Sequence, residues 1–338
     1  MSAAIQDADA TRPPFKPQQQ DPVGLESKMD PAPDYGYETY KGTGKLKGKV
    51  AIVTGGDSGI GRAIAMHYAR EGAHVAIAYL DEHEDAEQIK KHIEESNVEC
   101  ILIPGDISKE ETCQDIVDKT VKKWGKVDIL VNNAAYQGPM QDDFRKLTRE
   151  RLEFTFKTNI IAYFSMAQKC VEHMSRGSAI IDVCSINAYM PQPAILDYAS
   201  TKGAIVTFTK GLSHQLIGKG IRVNCIAPGP VWTPLVPMSF DKETGAIVTF
   251  TKGLSHQLIG KGIRVNCIAP GPVWTPLIPM SFDENTVEHF GKETVGTPIM
   301  RPGQPKEYGP IAVFLADEAQ SSYILGAVIA VTGGMLIS

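Results

Sequence analysis

An α/β fold built on one doubly wound parallel sheet is what this sequence predicts, and three observations predict it. Short apolar runs recur along most of the chain with longer helical stretches between them. The runs are continuous rather than alternating, as strands covered on both faces must be. Finally, 338 residues with 43% hydrophobic and 22% charged side chains suit one globular domain with a well-buried core, and exclude a wholly disordered or fibrous chain.

Residues 1–46 stand apart. Pro13, Pro14, Pro17, Pro22, Pro31 and Pro33, the Gln18–Gln20 run and scattered charge leave no apolar periodicity to bury, so this segment reads as a flexible N-terminal arm. Such an arm is either disordered or laid across a neighbouring subunit. The domain proper begins at 47. Its predicted strands are 50–55, 74–80, 100–106, 129–134, 178–184, 221–229 and 324–331, and stretches such as 61–71, 109–124 and 147–174 have the length of crossover helices.

An internal repeat interrupts this order. Residues 203–241 recur at 245–283 with one change, Val236 becoming Ile278, so that 242–283 reads as a near-identical duplicate of 200–241. Repeat folds diverge between units and need several of them. One nearly unmutated copy points instead to a recent tandem duplication or a gene-assembly error. The first copy follows Lys202 without a break, so it is expected to fill the regular place in the fold. The second is expected to emerge as a helix–strand insertion at the substrate lid. In a competing arrangement, strand 263–271 enters the sheet and the first copy loops out.

A net charge of −5 gives no electrostatic reason for a nucleic acid or an anionic membrane as partner. No apolar run approaches the roughly 18 residues of a membrane helix. The six cysteines, Cys100, Cys113, Cys170, Cys184, Cys225 and Cys267, are widely spaced and show no metal-ligand pattern; they read as reduced core thiols of a cytoplasmic protein.

Two groups of residues carry chemistry. Gly55, Ser58, Gly59, Ile60 and Gly61 lie in a glycine-rich turn, 54–61, that follows the first strand and opens a helix. Glycines there let the backbone approach a pyrophosphate seated at the helix N-terminus. Farther on, Ser185 ends a strand, Tyr198 follows 13 residues later, and Lys202 lies four beyond that, on the same helix face. A phenol titrates near 10, and a neighbouring ammonium favours the phenolate. Tyr198 can then exchange a proton with a carbonyl oxygen while Ser185 donates a hydrogen bond to it. Alone, a tyrosine and a lysine four apart are ordinary helix residues; the turn and Ser185 give them meaning.

With TGGDSGIG (54–61), NNAA (132–135), Asn159, Ser185, YASTK (198–202) and PGPVWT (228–233) in this order, the chain resembles the short-chain dehydrogenase/reductase family over about residues 47–338. With MDPAPDY (29–35) it is similar to the subgroup of NADPH-dependent aldehyde reductases and glucose and ribitol dehydrogenase homologues. The resemblance implies a Rossmann-like fold, hydride transfer between NADP(H) or NAD(H) and a small carbonyl or alcohol substrate, and a homotetramer. It implies Tyr198 as proton donor, Lys202 on the tyrosine and the nicotinamide ribose, Ser185 on the substrate oxygen, and Asn159 at a helix kink. Asp106 would reach the adenine, Asn132 and Ala134 would line the cofactor cleft, and Thr233 would contact the carboxamide beyond Pro228 and Gly229. The position that is acidic in NAD-using relatives is Tyr79 here, and Arg62 stands ready to assist a 2′-phosphate; NADP(H) is therefore favoured, although Asp81, Glu82, Glu84 and Asp85 follow at once.

Overall fold

The computed structural model describes residues 25–30, 32–188, 191–226, 267–270, 274, 287–290, 300–317 and 328–331. Six parallel strands form its main sheet in the order β3-β2-β1-β4-β5-β6: β1 Val50–Thr54, β2 His74–Tyr79, β3 Cys100–Pro104, β4 Ile129–Asn132, β5 Ala179–Val183 and β6 Arg222–Ile226. The order reverses between β1 and β4, so the carboxyl ends of these two strands flank the crevice where ligands bind in such sheets.

Helices cover both faces. They are α1 Gly59–Arg70, α2 His83–Glu94, α3 Glu110–Trp124, α4 Arg149–Phe156, α5 Ala162–Val171, α6 Leu196–Leu216 and α7 Gly309–Ala316. One apolar layer joins α3, α5 and α6 to the sheet through residues such as Ile116, Met166 and Ile205. The other joins α1, α2 and α7 through Ile64, Ile89 and Val313. The continuous apolar runs of the sequence are thus accounted for: strands β1, β4 and β5 are buried along their whole length.

The arm departs from expectation. Composition reads 1–46 as flexible, yet from Leu25 onward it lies against its own chain. The amides of Glu26 and Ser27 donate to the Asp85 carboxylate at 2.8 and 3.3 Å, and the buried Glu26 carboxylate accepts from Gly59 N and Arg62 Nη1, both at 2.6 Å. Asp34 N donates to Gln304, Tyr35 shares a hydrogen bond with His92 at 2.7 Å, and Met29 and Leu46 are buried. These anchors lie 26 residues or more away in sequence, beyond the reach of local patterning.

The duplication is also resolved differently from either arrangement considered. The first copy does continue the helix that carries Tyr198 and Lys202: α6 runs unbroken from Leu196 to Leu216, and β6 pairs with β5 from Ala179↔Arg222 to Val183↔Ile226. The second copy's strand is not expelled. Its residues Cys267–Pro270 (β7) pair in parallel with Val328–Val331 (β8), from Cys267↔Val328 to Pro270↔Val331, and β7 lies close to β6. An identical apolar strand meets an identical demand, since unpaired backbone groups at a buried edge are costly. One copy satisfies β5 and the other β8. Trp274, in the second copy, is fully buried and its amide donates to Gly303 at 2.7 Å. The duplicated helix, 245–259, lies outside the described residues.

Deleting residues 242–283 leaves a single copy whose strand has one edge for β5 and one for β8. The shortened chain is expected to match or exceed the parent in melting temperature and turnover, measured side by side; failure to fold would show that both copies are required.

Candidate active site and cofactor crevice

The turn between β1 and α1 is shaped by close backbone approach. Gly55 and Gly59 have φ of +60° and +55°, which side chains rarely adopt, and a Cβ on Gly61 would meet the Gly55 carbonyl oxygen at 1.9 Å. Asn133 clamps the turn from β4's end: its side-chain amide donates to the carbonyls of Thr54 and Gly55, both at 2.9 Å. The Thr54 hydroxyl in turn accepts from the amides of Asn133 and Ala134 at 2.9 and 3.1 Å. Ile60 and Gly61 lie in the first turn of α1, where amides lack intrahelical acceptors and the helix dipole favours an anion. This cradle, too narrow for any side chain at Gly61, fits a dinucleotide's pyrophosphate.

At the end of β5 the second group assembles. Ser185, Tyr198 and Lys202 are all buried, and the Ser185 and Tyr198 side chains share a hydrogen bond. The Lys202 ammonium donates to the Val183 carbonyl at 2.9 Å and lies 5.2 Å from the centre of the Tyr198 ring. The electrostatics differ from the sequence expectation. Burial raises the Tyr198 phenol well above its ordinary value, and the hydrogen bond from Ser185 only partly opposes this. Burial also brings Lys202 down to about 8. Lys202 therefore does not by itself lower the tyrosine: its charge is spent on a backbone carbonyl, and desolvation outweighs it.

Asn159 stands in a π-helical turn, Lys157–Ile161, between α4 and α5. Its amide brackets Tyr136, accepting from Tyr136 N at 2.7 Å and donating to Tyr136 O at 2.8 Å, and it also donates to Thr201 at 3.1 Å. These bonds tie the loop after β4 to α6 through the π-helical turn.

The description "short chain dehydrogenase" belongs to the family model that matches residues 49–244. The chain belongs to this family. A second model, described as enoyl-(acyl carrier protein) reductase, matches residues 237–336, so the two meet inside the duplicated region. The chain is 42% identical to a glucose and ribitol dehydrogenase of Daucus carota, over 96% of this chain and 98% of that one. It is 38% identical to a chloroplastic NADPH-dependent aldehyde reductase of Arabidopsis thaliana, over 93% and 96%. Among solved structures, a short-chain dehydrogenase from Burkholderia cenocepacia in complex with NADP superposes with a TM-score of 0.63 at 25% identity, covering 86% of this chain and 98% of that one. Like the rest of the short-chain dehydrogenase/reductase family, the chain is an NAD(P)-dependent oxidoreductase.

The other residues assigned from the sequence are placed as follows. Arg62, assigned to assist a 2′-phosphate, has a side chain 2% exposed that donates to Glu26, to the Asp85 carbonyl and to Gln88. The Asn132 side chain, buried, donates to Asp182 at 2.9 Å, while its neighbour Asn133 holds the turn. Asp106, half-buried past β3, accepts from Ser108 N at 2.9 Å. Tyr79 is buried at the end of β2 with its hydroxyl on His83. Pro228, Gly229 and Thr233 lie outside the described residues.

Other residues of the site escaped the sequence reading. Arg151 of α4 grips Asp197, the residue before Tyr198, at 2.8 and 3.1 Å, and so fixes the start of α6. The Asn187 amide donates to Ser185 Oγ at 3.1 Å. Only adjacency to a motif residue could have flagged Asp197 and Asn187; nothing local marks Arg151. Among the described residues no cluster could hold a metal ion, and no helix is long and apolar enough to cross a membrane. No disulfide joins Cys100, Cys113, Cys170, Cys184 and Cys225, and burial pushes thiols such as Cys113 up to about 11.

Beneath the site Asp182 is wholly buried, and burial pushes it up to about 6 against hydrogen bonds from Asn132 and Thr209. A carboxyl raised from 3.8 to about 6 costs stability progressively as pH rises through that window and fully above it. Asp182→Asn removes the cost, because the Thr209 hydroxyl can donate to the Ile205 carbonyl at 2.9 Å and accept from the new amide. Denaturant melts should show a gain of about 2 kcal/mol at pH 8 that shrinks toward pH 4.5. A loss at pH 8 would mean that the charged form is needed.

Proposed function

We propose that the chain transfers a hydride between NADP(H) and a carbonyl or alcohol substrate, reducing an aldehyde or a sugar carbonyl to the alcohol or polyol, and that NAD(H) is the weaker alternative. The observation that carries this is the Tyr198 hydroxyl hydrogen-bonded to Ser185 at the end of β5, with Lys202 buried beneath it. When bound, the nicotinamide supplies the hydride. Ser185 donates to the substrate oxygen and orients it, and Tyr198, kept protonated by burial, gives it the proton. Gly55, Ile60 and Gly61, in a turn clamped by Asn133, hold the pyrophosphate end. The names of the carrot and Arabidopsis relatives and the NADP complex of the Burkholderia structure support the cofactor and substrate class. A catalytically impaired role has no support, since the reacting residues are assembled on one unbroken helix and strand.

We also assign a cytoplasmic location and self-association, with a homotetramer as the assembly. Phe154, Ile161 and Phe164 on α4, the π turn and α5 are 39, 53 and 46% exposed, a stripe suited to burial against a second copy.

Tyr198→Phe removes the proton and leaves the crevice intact, so turnover should fall by about two to four orders of magnitude with dinucleotide affinity nearly unchanged. In the parent, the reductive rate should decline above about pH 8 as Lys202 loses its charge. NADPH oxidation with an aldehyde panel measures both; near-normal turnover in Tyr198→Phe would assign the proton to another group.

A further inference from the structure

Helix α4, the loop after β4 and the start of α6 meet at one guanidinium. Arg151 of α4 grips the wholly buried Asp197 carboxylate through Nε at 2.8 Å and Nη2 at 3.1 Å. Its other terminal nitrogen, Nη1, donates to the Pro139 carbonyl at 2.7 Å, in the loop after β4. Gly138 leaves room for this, since a Cβ there would lie 2.8 Å from the guanidinium carbon. The Asp197 carboxylate also accepts from the Thr155 hydroxyl at 3.1 Å and from the amide of Tyr198 itself.

The loop held in this way forms a wall beside the proton donor. Met140, next to Pro139, packs against Ile195 and Tyr198, and the amide of Gln141 donates to the Ala194 carbonyl at 2.7 Å. Asn159 holds the same loop at Tyr136. On the reading that Tyr198 gives the proton, we propose that Arg151 is a positioning residue for it. Its fork joins the loop after β4 to the first turn of α6, so that the phenol and the wall beside it keep one fixed spacing.

The chemistry of the side chain suits the task. A planar guanidinium satisfies a carboxylate with two donors and keeps a third for a carbonyl on another element, which the point charge of a lysine does not. Burial alone would raise the Asp197 carboxyl, but the bonds from Arg151 outweigh it and hold the carboxyl below its ordinary value, so the pair is charged. The bridge lies at the start of α6, whereas the glycine-rich cradle lies at the start of α1, so proton delivery and dinucleotide binding are separable. A displacement of the phenol by about 1 Å costs on the order of a hundredfold in rate.

The test replaces the pair together, Arg151→Met with Asp197→Asn, because removing one partner alone would leave a buried charge unpaired. The full chain is assayed with NADPH and aldehydes from glyceraldehyde to benzaldehyde, and NADPH affinity is read separately from its fluorescence without an aldehyde. Turnover should fall by about ten- to a hundredfold while NADPH affinity stays within about twofold of the parent's. Unchanged turnover overturns the proposal, and so does a parallel loss of turnover and affinity, which would mark a general loosening. Should the paired variant not fold, Arg151→Lys keeps the charge without the fork and should still lose about fivefold or more in turnover; parent-like turnover overturns the proposal equally. Amide exchange supplies a readout that needs no substrate. Gln141, protected by Ala194 in the parent, should exchange about tenfold faster in the variant, and unchanged exchange overturns the proposal. A parent that reduces none of the aldehydes would instead defeat the proposed function, and the exchange of Gln141 would then decide on Arg151 alone.

Discussion

The arrangement turns on one hydrogen bond, from the Lys202 ammonium to the Val183 carbonyl at the end of β5. An ammonium that is 1% exposed must find an acceptor or lose its charge. Val183 offers one, and its carbonyl also accepts from Tyr163 at 3.2 Å. By holding Lys202 there, the sheet fixes the rotation of α6 about its axis. That rotation brings Tyr198, one turn earlier, to Ser185, two residues past Val183. Arg151 on Asp197 and Asn159 on Thr201 lock the same helix from α4 and the π turn. The result is a buried phenol that keeps its proton beside Ser185.

The price of this dry site is a set of titratable groups poised away from their ordinary values. Lys202 falls, while Asp182 and Asp57 rise, and in each desolvation is the first cause. The arm contributes in the same spirit at the other end of the crevice. Glu26 takes the Gly59 amide and Arg62, and so fixes the start of α1 with a carboxylate from 33 residues earlier. A segment whose composition resembles a tether is thereby part of the nucleotide crevice's frame.

The sheet was legible in the sequence because parallel strands buried on both faces read as continuous apolar runs, and β1 to β6 fall inside the predicted segments. Ser185, Tyr198 and Lys202 were legible from spacing on one helix and the strand before it. What spacing does not convey is dielectric: it put Lys202 beside Tyr198 but not under a carbonyl in a dry core. Nor does it tell Asn132 from Asn133; alternation along the chain sends one inward, and Asp182, opposite Asn132 on β5, decides which. Glu26 and Asp85 meet across 59 residues, which no local pattern announces. The repeat was visible at once, yet identical strands carry no label, and the edges of β5 and β8 settled their places.

Lys202→Met tests the central claim most directly, because it removes the charge while keeping the length and apolar bulk of the side chain. Replacing a buried charge with a packed hydrophobe is often neutral or stabilising, so the variant should melt at or above the parent's temperature. Its turnover, with NADPH and an aldehyde that the parent reduces, should fall by about three orders of magnitude or more. A variant that melts like the parent and turns over within about tenfold of it would contradict the account.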